Sequence, residues 1–395
     1  MSQVSVPTKN RLSSRVQEIK PSGIRRFFDL ASTMDNIISL GVGEPDFITP
    51  WNIREASISS MERGFTAYSA NAGVLELRQE ITKYMYQRFD VDYNPETEVL
   101  VTVGASEAID IGCRAILDPG DEVIIVEPGF VSYSPLVSMA GGVPVSVGTK
   151  IEDDFKVSAD QIRDAITEKT KAIMISFPNN PTGAVMLKED LQEIATLVEE
   201  HDLMVFSDEI YAELSYDHKH FSFAALEGMK ERTILISGFS KAFAMTGWRL
   251  GFVMAPADVL AAMLKLHQYS LMCAPTMAQY GALEALKSGM DDVERMTQSY
   301  KQRRGFLVES FTEMGLACHM PGGAFYAFPS IKATGLTSEE FAERLLYEER
   351  VAVVPGNIFG AGGEGHIRCS YATSMENLQE ATKRMQRFVS SYLGG

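Results

Sequence analysis

Between Glu98 and Pro256 the chain alternates short apolar runs with longer amphipathic stretches. The runs are Val99–Val103, Glu122–Val126, Val143–Val147, Ala172–Ser176, Met204–Ser207, Thr233–Ile236 and Leu250–Met254. Each is too short for a buried helix and rich in Val and Ile, and the stretches between them carry apolar residues at helical spacing. The pattern predicts an α/β fold: a mostly parallel seven-stranded sheet with helices on both faces. Ligands of such open sheets sit beyond the carboxyl ends of the strands.

After Ala255 the pattern turns helical through Leu264, Tyr280 and Glu294 to Phe311. Strand candidates follow at Ala324–Phe328, Val351–Val354 and His366–Ser370, then a final helix at Met375–Leu393. This part reads as a smaller α+β domain. The expected division is an N-terminal segment, 1–45, joining the small domain, a large domain at 46–290 and the small domain at 291–395.

With 395 residues, 45% hydrophobic and 22% charged, the chain has the length and composition of a globular protein of two domains. No apolar run is long enough to span a bilayer, so no membrane partner is expected. A net charge of -16 argues against nucleic acid as partner, because phosphate backbones are held by clustered Lys and Arg. Cys113, Cys273, Cys318 and Cys369 are far apart, with no spacing that suggests a metal site or a disulfide framework. They read as buried thiols of a reducing compartment. The polar stretch Met1 to Arg15 has no apolar signal core, so a cytoplasmic location is expected.

The residues that suggest chemistry fall just after the apolar runs. Lys241 follows Thr233–Ile236 among small and apolar neighbours, with Arg249 downstream. Burial there lowers an ammonium pKa, and a neutral amine adds to a carbonyl to form an imine. Asp208 ends another run; alone it reads more often as a helix cap than as a cofactor ligand. Asn179-Asn180-Pro181-Thr182-Gly183 is by itself a turn signal. Gly104-Ala105-Ser106 opens an amphipathic stretch, either as a plain helix start or as an anion cradle of backbone N–H groups. Arg368 lies in an apolar strand candidate, where a guanidinium needs an anion from a ligand or from an internal carboxylate.

The run from Ser237 to Gly251 resembles the lysine signature of class I aminotransferases at Gly238, Ser240, Lys241, Ala244, Met245, Gly247, Arg249, Leu250 and Gly251. Further elements similar to the family run from Gly43 to Arg368, most of the chain. The resemblance implies the fold type I architecture, pyridoxal 5'-phosphate as cofactor and an amino-group transfer between amino acid and 2-oxo acid substrates, 2-oxoglutarate being the expected acceptor. It implies Lys241 as the covalent anchor and the acid–base group, Asp208 under the ring nitrogen, and Tyr211 and Asn180 on the phenolic oxygen. Gly104, Ala105, Ser106, Ser240 and Arg249 would hold the phosphate, and Phe130 would stack on the ring. Tyr68 would reach the phosphate of a neighbouring subunit, which implies a homodimer with shared sites. Arg368, with Gly43 and Asn180 beside it, would grip the substrate α-carboxylate in two parallel hydrogen bonds.

Some aspartate aminotransferases related to this group place a lysine where this chain has Ser106. Others donate an arginine from the partner in the stretch matching Gln268 to Gln279. This chain has neither, so aromatic or broad donors stand beside aspartate; Arg25 and Arg26 are candidates for reading a distal carboxylate or are surface charges. A carbon–sulfur β-lyase would keep Lys241, Asp208 and Arg368, and a non-catalytic regulatory module of the same fold is a third reading.

Overall fold

The computed structural model describes residues 11–19, 21, 23 and 34–393; Arg25 and Arg26 lie outside them. The strands are β1 (Ile38–Ser39), β2 (Val99–Thr102), β3 (Glu122–Glu127), β4 (Val143–Gly148), β5 (Thr170–Ser176), β6 (Met204–Asp208), β7 (Thr233–Gly238), β8 (Gly251–Met254), β9 (Tyr326–Ala327), β10 (Val351–Ala352), β11 (Val354–Pro355) and β12 (Ile367–Ser370). The seven expected runs form one seven-stranded sheet in the order β2-β8-β7-β6-β5-β3-β4. All neighbours are parallel except around β8, which runs against both β2 and β7.

Alternate residues along the strands feed opposite cores, as the two-residue period of a strand requires. Leu100, Val123, Ile125, Met174, Phe206, Ile234 and Val253 pack on one face with the helices Ala105–Ile116, Tyr133–Ala140 and Ala257–Ser270. On the other face Val101, Leu235 and Phe252 pack with the helices Leu75–Phe89 and Thr276–Ser288, and Ile124, Ile173 and Val205 with the helix Lys188–Glu200. Both faces are therefore covered, which is why the strands read as unbroken apolar runs. The β4 edge is the exception: it carries Pro144 and leaves Val143 44% exposed, features tolerated where no further strand must pair.

A second core gathers the helices Met290–Glu313, Ser338–Glu349 and Met375–Leu393 around a three-stranded sheet of order β11-β12-β9. The run expected as one strand at Val351–Val354 divides into two. Val351 and Ala352 pair in parallel with β1, whereas Val354 and Pro355 pair with β12, so the chain changes sheets at Val353. The Ala324–Phe328 run likewise keeps only two paired residues, β9. Cys113 and Cys369 are buried, but Cys273 and Cys318 are partly exposed, which corrects the reading of all four as buried; none is in a disulfide. Among the described residues no helix is long and apolar enough to cross a membrane.

Candidate active site

The carboxyl ends of β2, β3, β5, β6 and β7 open on one cavity of about 580 Å³. Its walls hold Gly43, Ala105, Ser106, Phe130, Asn180, Asp208, Tyr211, Ser240, Lys241, Arg249 and Arg368; of the other candidates Gly104 lies just behind, Tyr68 is 80% exposed, and Arg25 and Arg26 lie outside the described residues. Register explains the convergence. Ser176 is level with Asp208, Asp208 with Ile236, and Gly238 with Gly251, so neighbouring strands end at nearly one height.

Lys241 leaves the turn after β7 and donates from Nζ to Gly43 O at 2.6 Å. Burial pushes its pKa down to about 8, helped by the positive Arg368 and Arg249 and opposed by Glu44 and Asp208. The amine is therefore poised to lose its proton near neutrality, the condition for nucleophile or base.

Asp208 is buried at the end of β6, where Oδ2 accepts the Tyr133 hydroxyl at 2.8 Å and Oδ1 the Ile210 backbone N–H at 3.2 Å. Burial raises its pKa to about 6 despite those donors. No cation is hydrogen-bonded to it among the described residues, so a buried carboxylate faces the cavity ready for a positive group. Tyr211, one helical turn on, shares a hydroxyl–hydroxyl hydrogen bond of 2.8 Å with Tyr326.

The opposite end of the cavity suits an anion. The helix Ala105–Ile116 begins there with free N-terminal N–H groups and the Ser106 side chain. Gly104 takes φ +78°, and a Cβ on it would stand 2.8 Å from Arg249 Nη2, so only glycine lets this guanidinium close over the turn. Arg249 itself is left-handed, φ +54°, and donates from Nη1 to Thr246 O at 3.1 Å. Ser240 lines the same wall. A Cβ on Gly251 would meet Ala105 N and Gly104 C at 2.8 Å, which fixes how tightly β8 packs under the cradle.

Arg368 is 3% exposed, on β12. Its Nη1 donates to Asn180 Oδ1 at 2.8 Å and Nη2 to Gly41 O at 2.6 Å, while Nε has no hydrogen-bond partner. The guanidinium lies 4.4 Å over the Tyr326 ring and 5.0 Å over Phe359. Among the described residues no carboxylate pairs with it, so the internal counter-ion that a buried arginine could have had is missing.

Phe130 lines the cavity and meets Tyr133 edge to face at 5.5 Å. Sequence reasoning passed over Tyr133 and Tyr326. Tyr133 lies three residues after Phe130 in the same turn, which was its available signal; Tyr326 sits in a short strand and showed none. Glu44 and Ser176 also line the cavity unforeseen. Among the described residues no cluster of His, Cys, Asp or Glu is disposed to hold a metal ion. The arrangement can hold a phosphorylated group at one end, a cationic ring nitrogen over Asp208, a carbonyl at Lys241 and a carboxylate at Arg368.

The chain is similar to known proteins along nearly all of its length. The family model for aminotransferase class I and II matches residues 35–385. An aspartate aminotransferase of Pyrococcus abyssi is 48% identical over 96% of this chain and 98% of its own length. An aromatic-amino-acid aminotransferase of Thermococcus litoralis is 47% identical over the same shares. The Thermus thermophilus aspartate aminotransferase solved with maleate superposes with a TM-score of 0.92 at 42% identity, covering 96% of this chain and 99% of that one. A match of this length, with a cationic amine, a buried carboxylate and an unpaired guanidinium around one cavity, makes the chain a member of the class I and II aminotransferases.

Proposed function

We propose that this aminotransferase uses pyridoxal 5'-phosphate to move the amino group of an L-amino acid to a 2-oxo acid, 2-oxoglutarate being the expected acceptor. The observation that carries this reading is Arg368, buried, aimed at the cavity that holds Lys241, and without a carboxylate among the described residues. The residues fit the cofactor on independent grounds: the Gly104 turn that a Cβ would fill, the buried Asp208 carboxylate lacking a cation, and the low pKa of Lys241.

Gly104, Ala105, Ser106, Ser240 and Arg249 would hold the phosphate, Asp208 the ring nitrogen, Tyr211 and Asn180 the phenolic oxygen, and Phe130 one face of the ring. Pyridoxal phosphate, when bound, supplies an aldehyde for the amino group and a ring that takes up the electron pair left as the α-proton departs. The rest is done by the chain. Lys241, half neutral already near pH 8, takes the α-proton at Nζ and returns it to the carbon on the other side of the transfer. Asp208, ionised above about pH 6, keeps negative charge fixed beneath the ring nitrogen. Arg368 orients the donor by its α-carboxylate, aided by Gly43 and Asn180, and trades its bond to Gly41 O for the incoming oxygens.

Relatives named for aspartate and for aromatic amino acids support a donor from either group. Exposed Tyr68, Trp51, Ile48 and Tyr269 support a homodimer in which Tyr68 serves the partner's phosphate. A core built mostly of residues from Met296 to Val389, with Leu40 from the N-terminal segment and Tyr211, Leu214 and Ala244 where it meets the sheet side, supports a small domain at 291–395 beside a large one at 46–290, with 1–45 joining the small domain. A cytoplasmic location completes the reading.

The test mixes the holoenzyme with single amino acids and follows the change in visible absorption without an acceptor, then restores it with 2-oxoglutarate. Donors that convert the absorption and are regenerated support the proposal. Release of pyruvate and ammonia with no need of an acceptor would overturn it.

A further inference from the structure

The loop between β1 and the helix Trp51–Glu62 supplies two backbone carbonyls to the site's cations: Gly41 O to Arg368 Nη2 and Gly43 O to Lys241 Nζ, each at 2.6 Å. A shift of this loop reaches Arg368 through Gly41 O, whereas Gly43 O meets the Lys241 amine only while that amine carries no cofactor. Its start is tied down where Leu40 joins Ala352 and Ser370 by backbone hydrogen bonds of 2.8 and 2.6 Å. Its end is tied down at Thr49, whose Oγ1 donates to Ala244 O at 2.5 Å and accepts Trp248 Nε1 at 3.0 Å.

Between those ties, close to Gly43, Asp46 pairs with Arg303 at 2.7 Å. Arg303 comes from the helix Met290–Glu313, far away in sequence. Its guanidinium also lies 5.3 Å from the Phe47 ring centroid and 5.6 Å from that of Tyr300, and the two rings meet edge to face at 5.5 Å. The Arg303 side chain is 11% exposed and that of Asp46 24%. A surface ion pair swings freely and counts for little, whereas here the guanidinium is mostly buried and lies against two aromatic rings, which restrain it. Neither residue lines the cavity.

We infer that Asp46 and Arg303 form a positioning pair that sets the 41–43 backbone over the Arg368 end of the cavity, and so governs how tightly an amino donor's carboxylate is held. This rests on the proposed reading that Arg368 takes that carboxylate. The cofactor half is held from the sheet ends by Asp208, Ser106 and Arg249, so the pair acts on donor binding and leaves cofactor retention alone.

The holoenzyme variants Asp46→Asn, Arg303→Gln, their double and Arg303→Lys test this, with L-phenylalanine and L-aspartate as donors and 2-oxoglutarate as acceptor. Asp46→Asn and Arg303→Gln should each raise the donor KM about five- to twentyfold, with kcat within about twofold and cofactor retention on dialysis unchanged. The double should be no worse than the weaker single, because one interaction is lost either way. Arg303→Lys keeps the charge and should recover part of the loss, and it serves as the test if Arg303→Gln does not fold. Unchanged KM in the singles would overturn the inference, and so would kcat, cofactor retention and thermal midpoint all falling as KM rises. Arg368→Lys in the same series separates the two readings: unchanged donor KM there sinks the carboxylate assignment, whereas a raised KM there with silent Asp46 and Arg303 variants sinks only the pair.

Discussion

Tyr133 donates a 2.8 Å hydrogen bond to Asp208 and thereby ties the turn after β3 to the last residue of β6. The bond stabilises the ionised carboxylate and holds its pKa below where burial alone would set it. Tyr133→Phe should raise the Asp208 pKa by about one pH unit, since hydrogen bonds to charged groups are worth about 1.5–3 kcal/mol. The acid limb of the kcat/KM profile should move to higher pH by that amount, with activity down about fivefold at pH 6 and about twofold at pH 7. A profile that stays in place would show that the phenol does not act on the carboxylate.

Asp208→Asn removes the charge beneath the ring nitrogen and should lower kcat by about 10²–10⁴-fold. Stability should move the other way. The folded carboxyl titrates near 6 against an ordinary value of 3.8, so the folded state binds more protons between those values and stability falls as pH rises through them. The asparagine variant lacks this fall, so above pH 6 the cofactor-free variant should be about 1–3 kcal/mol more stable than the parent relative to their difference at pH 4. Urea melts at pH 4 and 7 read both slopes; parallel slopes in parent and variant would contradict the raised pKa.

Lys241→Ala should abolish covalent attachment of pyridoxal phosphate, visible as loss of the protein-bound absorption, and reduce transfer at least about a thousandfold. In the parent apoprotein the attachment rate should climb about tenfold per pH unit up to about 8 and level off above it, following the neutral amine. The folded pKa lies below the ordinary value of 10.5, so the unfolded chain binds more protons between about 8 and 10.5, and stability should rise with pH across that window. Attachment that still climbs steeply at pH 9.5 would mean an ordinary exposed amine.

Arg368→Lys keeps the charge but loses the fork that Asn180 and Gly41 now align. Donor KM should rise about 10- to 100-fold with cofactor retention intact, because a point charge cannot reproduce two parallel hydrogen bonds. Stopped-flow measurement of the single-donor half-reaction reads the binding step directly.

The sheet was legible because strands covered on both faces read as plain apolar runs, and Leu100 and Val101 need no polar face between them. Lys241, Asp208 and Asn180 were legible because each follows such a run, and Arg249 because it directly precedes one within the lysine signature. The small sheet was less so: its strands are two to four residues long, and at Val353 the chain changes partners with no glycine or proline to mark it. Tyr326 was missed because a tyrosine in a short aromatic strand gives no sign of where its hydroxyl points, and Tyr133 because its nearness to Phe130 marks a shared turn but not the bond to Asp208. The Asp46–Arg303 pair joins residues whose separation along the chain carries no pattern, and only the fold brings them into contact.

The single reversed strand, β8, sends the chain back beside β7, so Lys241 and Arg249 spring from the same end of one hairpin stitched through Gly238 and Gly251. Their spacing is thus built into covalent geometry and sheet pairing, whereas Arg368 belongs to a different packing unit. A displacement of the small-sheet core against the large sheet would therefore carry Arg368 away while the distance between Lys241 and Arg249 stayed as it is.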